Sequence, residues 1–213
     1  MIESSTEKLI GELSHALAPV RPLRPPVVRA LLWLAAATVL IGAGLWRWAN
    51  MDVFMARNAD PRLALESAAT LLTGITAVVA AFYLSLPDRS GRWRYVPLAP
   101  LVLWIATSSL GCLQYGFGLG PAGHRLGESL HCFRFIVMVS VPLALLLYMV
   151  LRRARPLQPL PVALTAALGV AALAAFVLQF FHPFDSTVID LTMHAAAIAV
   201  VIGLAAATRR LLD

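Results

Sequence analysis

The residues able to do chemistry fall into three groups. The first comprises Cys112, His131, Cys132 and His182. Thiolate and imidazole are ligands for soft and borderline metals, so these four are candidates for a metal-binding or oxidant-sensitive site. Neither the Cys-x19-Cys spacing nor the His131-Cys132 pair matches a zinc signature, and adjacent side chains need not enter one cavity. A structural disulfide, or two unpaired thiols, is the plainer reading of Cys112 and Cys132.

The second group is ionisable. Asp190 and His194 lie four residues apart and share a helical face, which suits a carboxylate–imidazole pair, and Glu66 stands near the start of a long apolar run. Thr187 and Asp190 also have capping-box spacing, and acidic groups at a helix start complement its dipole, so capping explains Asp190 and Glu66 more simply. No Ser/His/Asp order, glycine-rich phosphate loop or His-Glu-x-x-His element occurs. An enzyme is therefore not expected, nor a resident cofactor; a metal would enter only as a transient signal.

The third group is apolar. Leu9, Ile10, Leu13 and Leu17 follow spacings that gather them on one side of a helix, while Glu7, Lys8, Glu12 and Ser14 face elsewhere. Ser4 and Glu7 have capping-box spacing at its start, and Ala18-Pro19 ends it. Four prolines from Pro19 to Pro26 then make an extended, semi-rigid spacer. Such a stripe fits either a groove on a cytoplasmic protein or the headgroup layer of a membrane.

The elements that must position these groups are set by composition. The chain has 213 residues, of which 60% are hydrophobic and 13% charged, with a mean hydropathy of +0.79. That is far more apolar residue than one soluble core requires, so the expected class is an all-α integral membrane bundle. A span needs about 20 apolar residues. Six stretches qualify, near 27–45, 63–84, 95–113, 133–151, 160–180 and 187–207. The expected organisation is a head and tether over 1–26 and a six-helix membrane domain over 27–213, with Pro142 kinking the fourth span.

Charge sets orientation. Twelve of the 17 basic residues fall on one side: Lys8, Arg21, Arg24 and Arg29 in the head and at the start of the first span, the Arg89/Arg92/Arg94 loop, the Arg152/Arg153/Arg155 loop and the Arg209/Arg210 tail. Positive loops stay cytoplasmic, which puts both termini in the cytoplasm and Cys112, His131, Cys132 and His182 outside. The net charge of +6 thus follows from topology, and direct nucleic-acid binding is not expected, because no aromatic face is interleaved with the arginines.

Certain patterns occur together: Leu-Ala-Pro-Val-Arg-Pro-Leu-Arg-Pro-Pro over 17–26, Leu110-Gly111-Cys112 closing the third span, Cys132 opening the fourth, and His182-Pro183-Phe184-Asp185 followed by His194. In these, over nearly its whole length, the chain resembles the NrsF-type family of bacterial integral-membrane anti-sigma factors. The resemblance implies a head that holds an extracytoplasmic-function sigma factor at the inner membrane, and outer cysteines that sense metal or oxidative stress. Some members have a cysteine in the last outer loop where this chain has His182. The expectation is an anti-sigma factor docking its partner through Leu9, Ile10, Leu13 and Leu17; the rival is a small transporter or membrane enzyme using Asp190, His194 and Glu66.

Overall fold

The structure, a computed structural model, describes residues 2–15, 22–115, 126–181 and 188–208. Those residues form α-helices joined by short turns, without strands: α1 (Ile2–His15), α2 (Pro26–Trp48), α3 (Met51–Asn58), α4 (Pro61–Leu84), α5 (Leu98–Tyr115), α6 (Leu126–Leu151), α7 (Pro159–Leu178) and α8 (Val188–Ala207). Single 3-10 turns at Gly91–Tyr95 and Arg152–Ala154 connect α4 to α5 and α6 to α7.

Local sequence explains where the helices start. Proline opens α2, α4 and α7, at a position whose N–H would have no helical partner. Asn50 caps α3 by accepting the Val53 N–H at 3.1 Å, and Asp60 caps α4 by accepting the Arg62 N–H at 2.8 Å. Within α4 the buried hydroxyls of Ser67, Thr70 and Thr73 donate to the carbonyls of Leu63, Glu66 and Ala69, which allows polar side chains into an apolar bundle.

Among the described residues, four helices are long and apolar enough to cross a membrane: residues 26–47, 61–84, 130–154 and 159–178; α8 adds a shorter apolar stretch over 191–207. Burial ranks them, with α7 the most enclosed and α2 the least. Accordingly α4 and α7 form the central pair, α2 and α5 pack on α4, and α6 and α8 pack on α7 and on each other. Gly74 of α4 abuts Leu173 of α7, and Gly169 of α7 abuts Val78 of α4, so the pair runs antiparallel. The outer surfaces are apolar: Val39 is 72% exposed, Val102 64% and Met138 74%. Such surfaces require a hydrocarbon solvent.

Three boundaries differ from the sequence expectation. Ser4 lies inside α1, which starts at Ile2, so the helix begins before the expected capping serine. α6 begins at Leu126, seven residues before the apolar stretch expected from 133. The short helix α3 was not expected; its eight residues carry too little apolar periodicity to stand out.

Candidate partner-docking and sensing sites

At the head, α1 presents Leu9, Ile10 and Leu13 with 55%, 61% and 59% of their surface exposed. Three large aliphatic side chains exposed within five residues have no core of their own to enter. Glu7, Lys8 and Glu12 are exposed too, and Ser14 turns its hydroxyl back to the Gly11 carbonyl at 2.9 Å. Leu17, the fourth residue of the stripe, lies outside the described residues.

The helix after the tether is fixed to the bundle by a charged group. Arg29 on the first turns of α2 is 6% exposed; its Nη2 donates to the Val150 carbonyl of α6 at 2.9 Å, and its guanidinium lies 5.2 Å from the Phe82 ring centroid of α4. Trp33, one turn on, is buried in the same cluster with Phe82, Leu143 and Leu147. From Thr38 to Arg47 no residue of α2 is buried. At its far end the chain is caught again: the Asn50 N–H donates to the Phe180 carbonyl at 3.3 Å, and the Phe54 ring stacks on Phe180 at 4.0 Å. The element joined to the head is therefore held at its two ends, on α4 and α6 at one and on the end of α7 at the other.

At the opposite end of α6 from the Arg29 contact, Cys132 is 1% exposed, packed among Ile136, Ala174, Ala175, Leu178 and Ala197. His131, its neighbour, is exposed, so the two side chains do not enter one cavity. The side chains of Cys112, His182 and Asp190 lie outside the described residues; His194 is partly buried on α8. Among the described residues, no three His, Cys, Asp or Glu side chains are grouped to hold a metal.

Glu66 has a different role from simple dipole compensation. It is 5% exposed, with Oε1 3.3 Å from Nη2 of Arg57 on α3 and Oε2 4.0 Å from Nη1 of Arg62 one turn before it. The Arg62 guanidinium also donates to the Thr107 carbonyl of α5 at 3.3 Å. One carboxylate thus ties together α3, α4 and, through Arg62, α5. Sequence reading missed Arg57, since a nine-residue separation across two helices has no periodic signature; the Arg62–Glu66 spacing was the only visible signal.

Among the described residues, four membrane-length helices around a closed central seam, with exposed aliphatic side chains on α1, give the form of a membrane protein. The family model described as NrsF, negative regulator of sigma F, matches residues 13–212, and the chain belongs to that family. The matched region takes in Leu13 and Leu17 and begins after Leu9 and Ile10. No curated protein and no solved structure matches the chain.

Proposed function

We propose that this chain is an integral anti-sigma factor of the bacterial inner membrane. Residues 1–26 form the head and tether, residues 27–213 span the bilayer six times, and both termini are cytoplasmic. The head holds an extracytoplasmic-function sigma factor through Leu9, Ile10, Leu13 and Leu17. The observation that carries this reading is the exposed aliphatic stripe of α1 in a chain of the negative-regulator family. The orientation is supported by the 3-10 turn containing Arg92 and Arg94, where Trp93 stacks on Tyr83 at 3.7 Å in the manner of an aromatic and basic interface anchor.

Release follows from a periplasmic metal or oxidative signal acting at Cys132, with Cys112, His131 and His182. The contacts of Asn50 and Phe54 with Phe180, two residues before His182, give such a change a physical route into α2 and the tether. Only a small shift is required, because a tenfold loss of sigma-factor affinity corresponds to about 1.4 kcal/mol. Against the transporter reading, Glu66 is engaged by two arginines, and the α4–α7 seam is closed by Gly74 and Gly169, leaving no room for a substrate there.

The test is affinity purification of the full chain from solubilised membranes. Stoichiometric recovery of a sigma factor is expected. Recovery of none, together with solute flux in vesicles containing the pure protein, would overturn the reading in favour of a transporter.

A further inference from the structure

Between α6, α7 and α8 lies a cleft of about 310 Å³, within the size range of small-ligand sites. Its walls are almost wholly aliphatic, and they run along α6 from Val137 to Leu151, a length of about 21 Å at 1.5 Å rise per residue. Half the hydrocarbon core of a bilayer is about 15 Å thick, so the cleft reaches through at least one leaflet, with about 6 Å to spare. It has two unlike ends. Val137, Ser140 and Val170 line the deep end; Tyr148, Leu151 and Thr208 line the other, where Arg152 sits 5.9 Å from the Tyr148 ring centroid and Arg153 is exposed beside it. Thr208 is followed in the chain by Arg209 and Arg210.

An apolar slot at least one leaflet deep with cations at its mouth is complementary to one class of molecule. We infer that the cleft binds an acyl chain of an anionic phospholipid from the cytoplasmic leaflet, with the headgroup phosphate against Arg152 and Arg153. A zwitterionic lipid also fits the slot and carries a phosphate, but its own cation offsets the attraction of the arginines, so a headgroup of net negative charge is favoured. A second copy of the chain would need to insert a helix of about 10 Å diameter, which a cleft of this volume does not admit. The assignment to the cytoplasmic leaflet rests on the orientation proposed above.

The experiment uses the full-length protein in a neutral detergent, exposed to phosphatidylglycerol or phosphatidylcholine of identical chains and examined by native mass spectrometry. One phosphatidylglycerol is expected to be retained at least fivefold more strongly than phosphatidylcholine. The double variant Arg152→Gln/Arg153→Gln should abolish that preference while keeping weak binding of both lipids. Ala144→Phe, which fills the partly exposed wall of the cleft, should reduce retention of both, with circular dichroism confirming an intact helical bundle. Equal retention of the two lipids by the unsubstituted protein, undiminished retention by a folded Ala144→Phe variant, or a lipid-free dimer would each overturn the proposal. Sigma-factor recovery is measured on the same preparations: its loss alone counts against the anti-sigma reading, and loss of lipid selectivity alone against the cleft. A reporter placing Ser90 in the periplasm would overturn the leaflet assignment.

Discussion

Gly169 on α7 faces Val78 on α4 so closely that a Cβ added to the glycine would lie 2.8 Å from Val78 Cγ2, 3.0 Å from its backbone nitrogen and 3.2 Å from the Gly74 carbonyl oxygen. At Gly74 the corresponding neighbours are Leu173 Cγ at 2.7 Å and Cδ2 at 2.8 Å. In lipid, where apolar burial from water does not drive helix association, such close approach is what holds two helices together.

The two glycines should therefore respond differently to alanine. At 169 the new methyl group meets two backbone atoms, at 3.0 and 3.2 Å, besides Val78 Cγ2, whereas at 74 it meets two atoms of the Leu173 side chain and one backbone atom, at 3.2 Å. Gly169→Ala should destabilise by about 1–3 kcal/mol, the usual range for overpacking, and Gly74→Ala by less. Thermal unfolding in detergent, followed by intrinsic tryptophan fluorescence, gives the order; equal midpoints for both variants and the unsubstituted protein would contradict it.

The Glu66 cluster makes a second ranking. Removing the carboxylate leaves Arg57, whose side chain is 4% exposed, and Arg62 without their shared anion. Glu66→Leu should cost about 3–5 kcal/mol, the range for stripping one partner from a buried pair. Arg62→Gln removes the longer and more exposed contact and should cost about 1 kcal/mol or less. The double variant Arg57→Met/Glu66→Leu should be more stable than Glu66→Leu alone, since the buried Arg57 charge is then gone and only the more exposed Arg62 loses its anion. The same unfolding assay tests it, and a double variant less stable than either single one would refute the argument.

What could be read from the sequence follows from the range of each interaction. The apolar runs announced α2, α4 and α7, because hydrophobicity over a span length is a local property of the chain; that proline opens each of them was not read. The helical character of α1 was equally legible from its spacing. The Arg57–Glu66 pair and the stacking of Phe54 on Phe180 were not, since they join elements whose relative placement depends on the whole bundle. Arg29 was read only as one positive charge at a helix end; its burial against Val150 and Phe82 depends on α4 and α6 converging there. Of the sensor candidates, the structure separates His131 from Cys132 by exposure, which adjacency along the chain hides.

Arg29 should act as the clamp of α2. Arg29→Ala removes a charged hydrogen bond and a cation–π contact, together worth about 2–4 kcal/mol. Amide hydrogen exchange over residues 26–33 should accelerate by at least tenfold while α4 and α7 keep their protection. Lysine has no planar fork to reach the Val150 carbonyl while lying on the Phe82 ring, so Arg29→Lys should rescue only part of the effect. Unchanged exchange in Arg29→Ala would remove the clamp from the account.

Cys132 tests sensing. Its burial against α7 and α8 predicts slow reaction with a bulky maleimide in the resting protein, and faster reaction once the stimulus loosens that packing. Cys132→Ala should abolish the response to metal or oxidant and preserve basal repression, because the head is untouched. Cys112→Ala should behave alike only if both thiols belong to one site. A normal response from the double variant would exclude thiol chemistry as the trigger.

The central claim is that the exposed stripe of α1 grips a sigma factor, and its most direct measurement is binding of the purified sigma factor to the full chain in proteoliposomes. Leu9→Glu and Leu13→Glu each place a charge in the proposed contact, whereas Lys8→Ala changes an exposed residue beside it. The account predicts at least a hundredfold weaker binding for either glutamate variant, about 2.7 kcal/mol, and less than a threefold change for Lys8→Ala. Unaltered sigma-factor affinity in both Leu9→Glu and Leu13→Glu, with the protein correctly inserted, would contradict it.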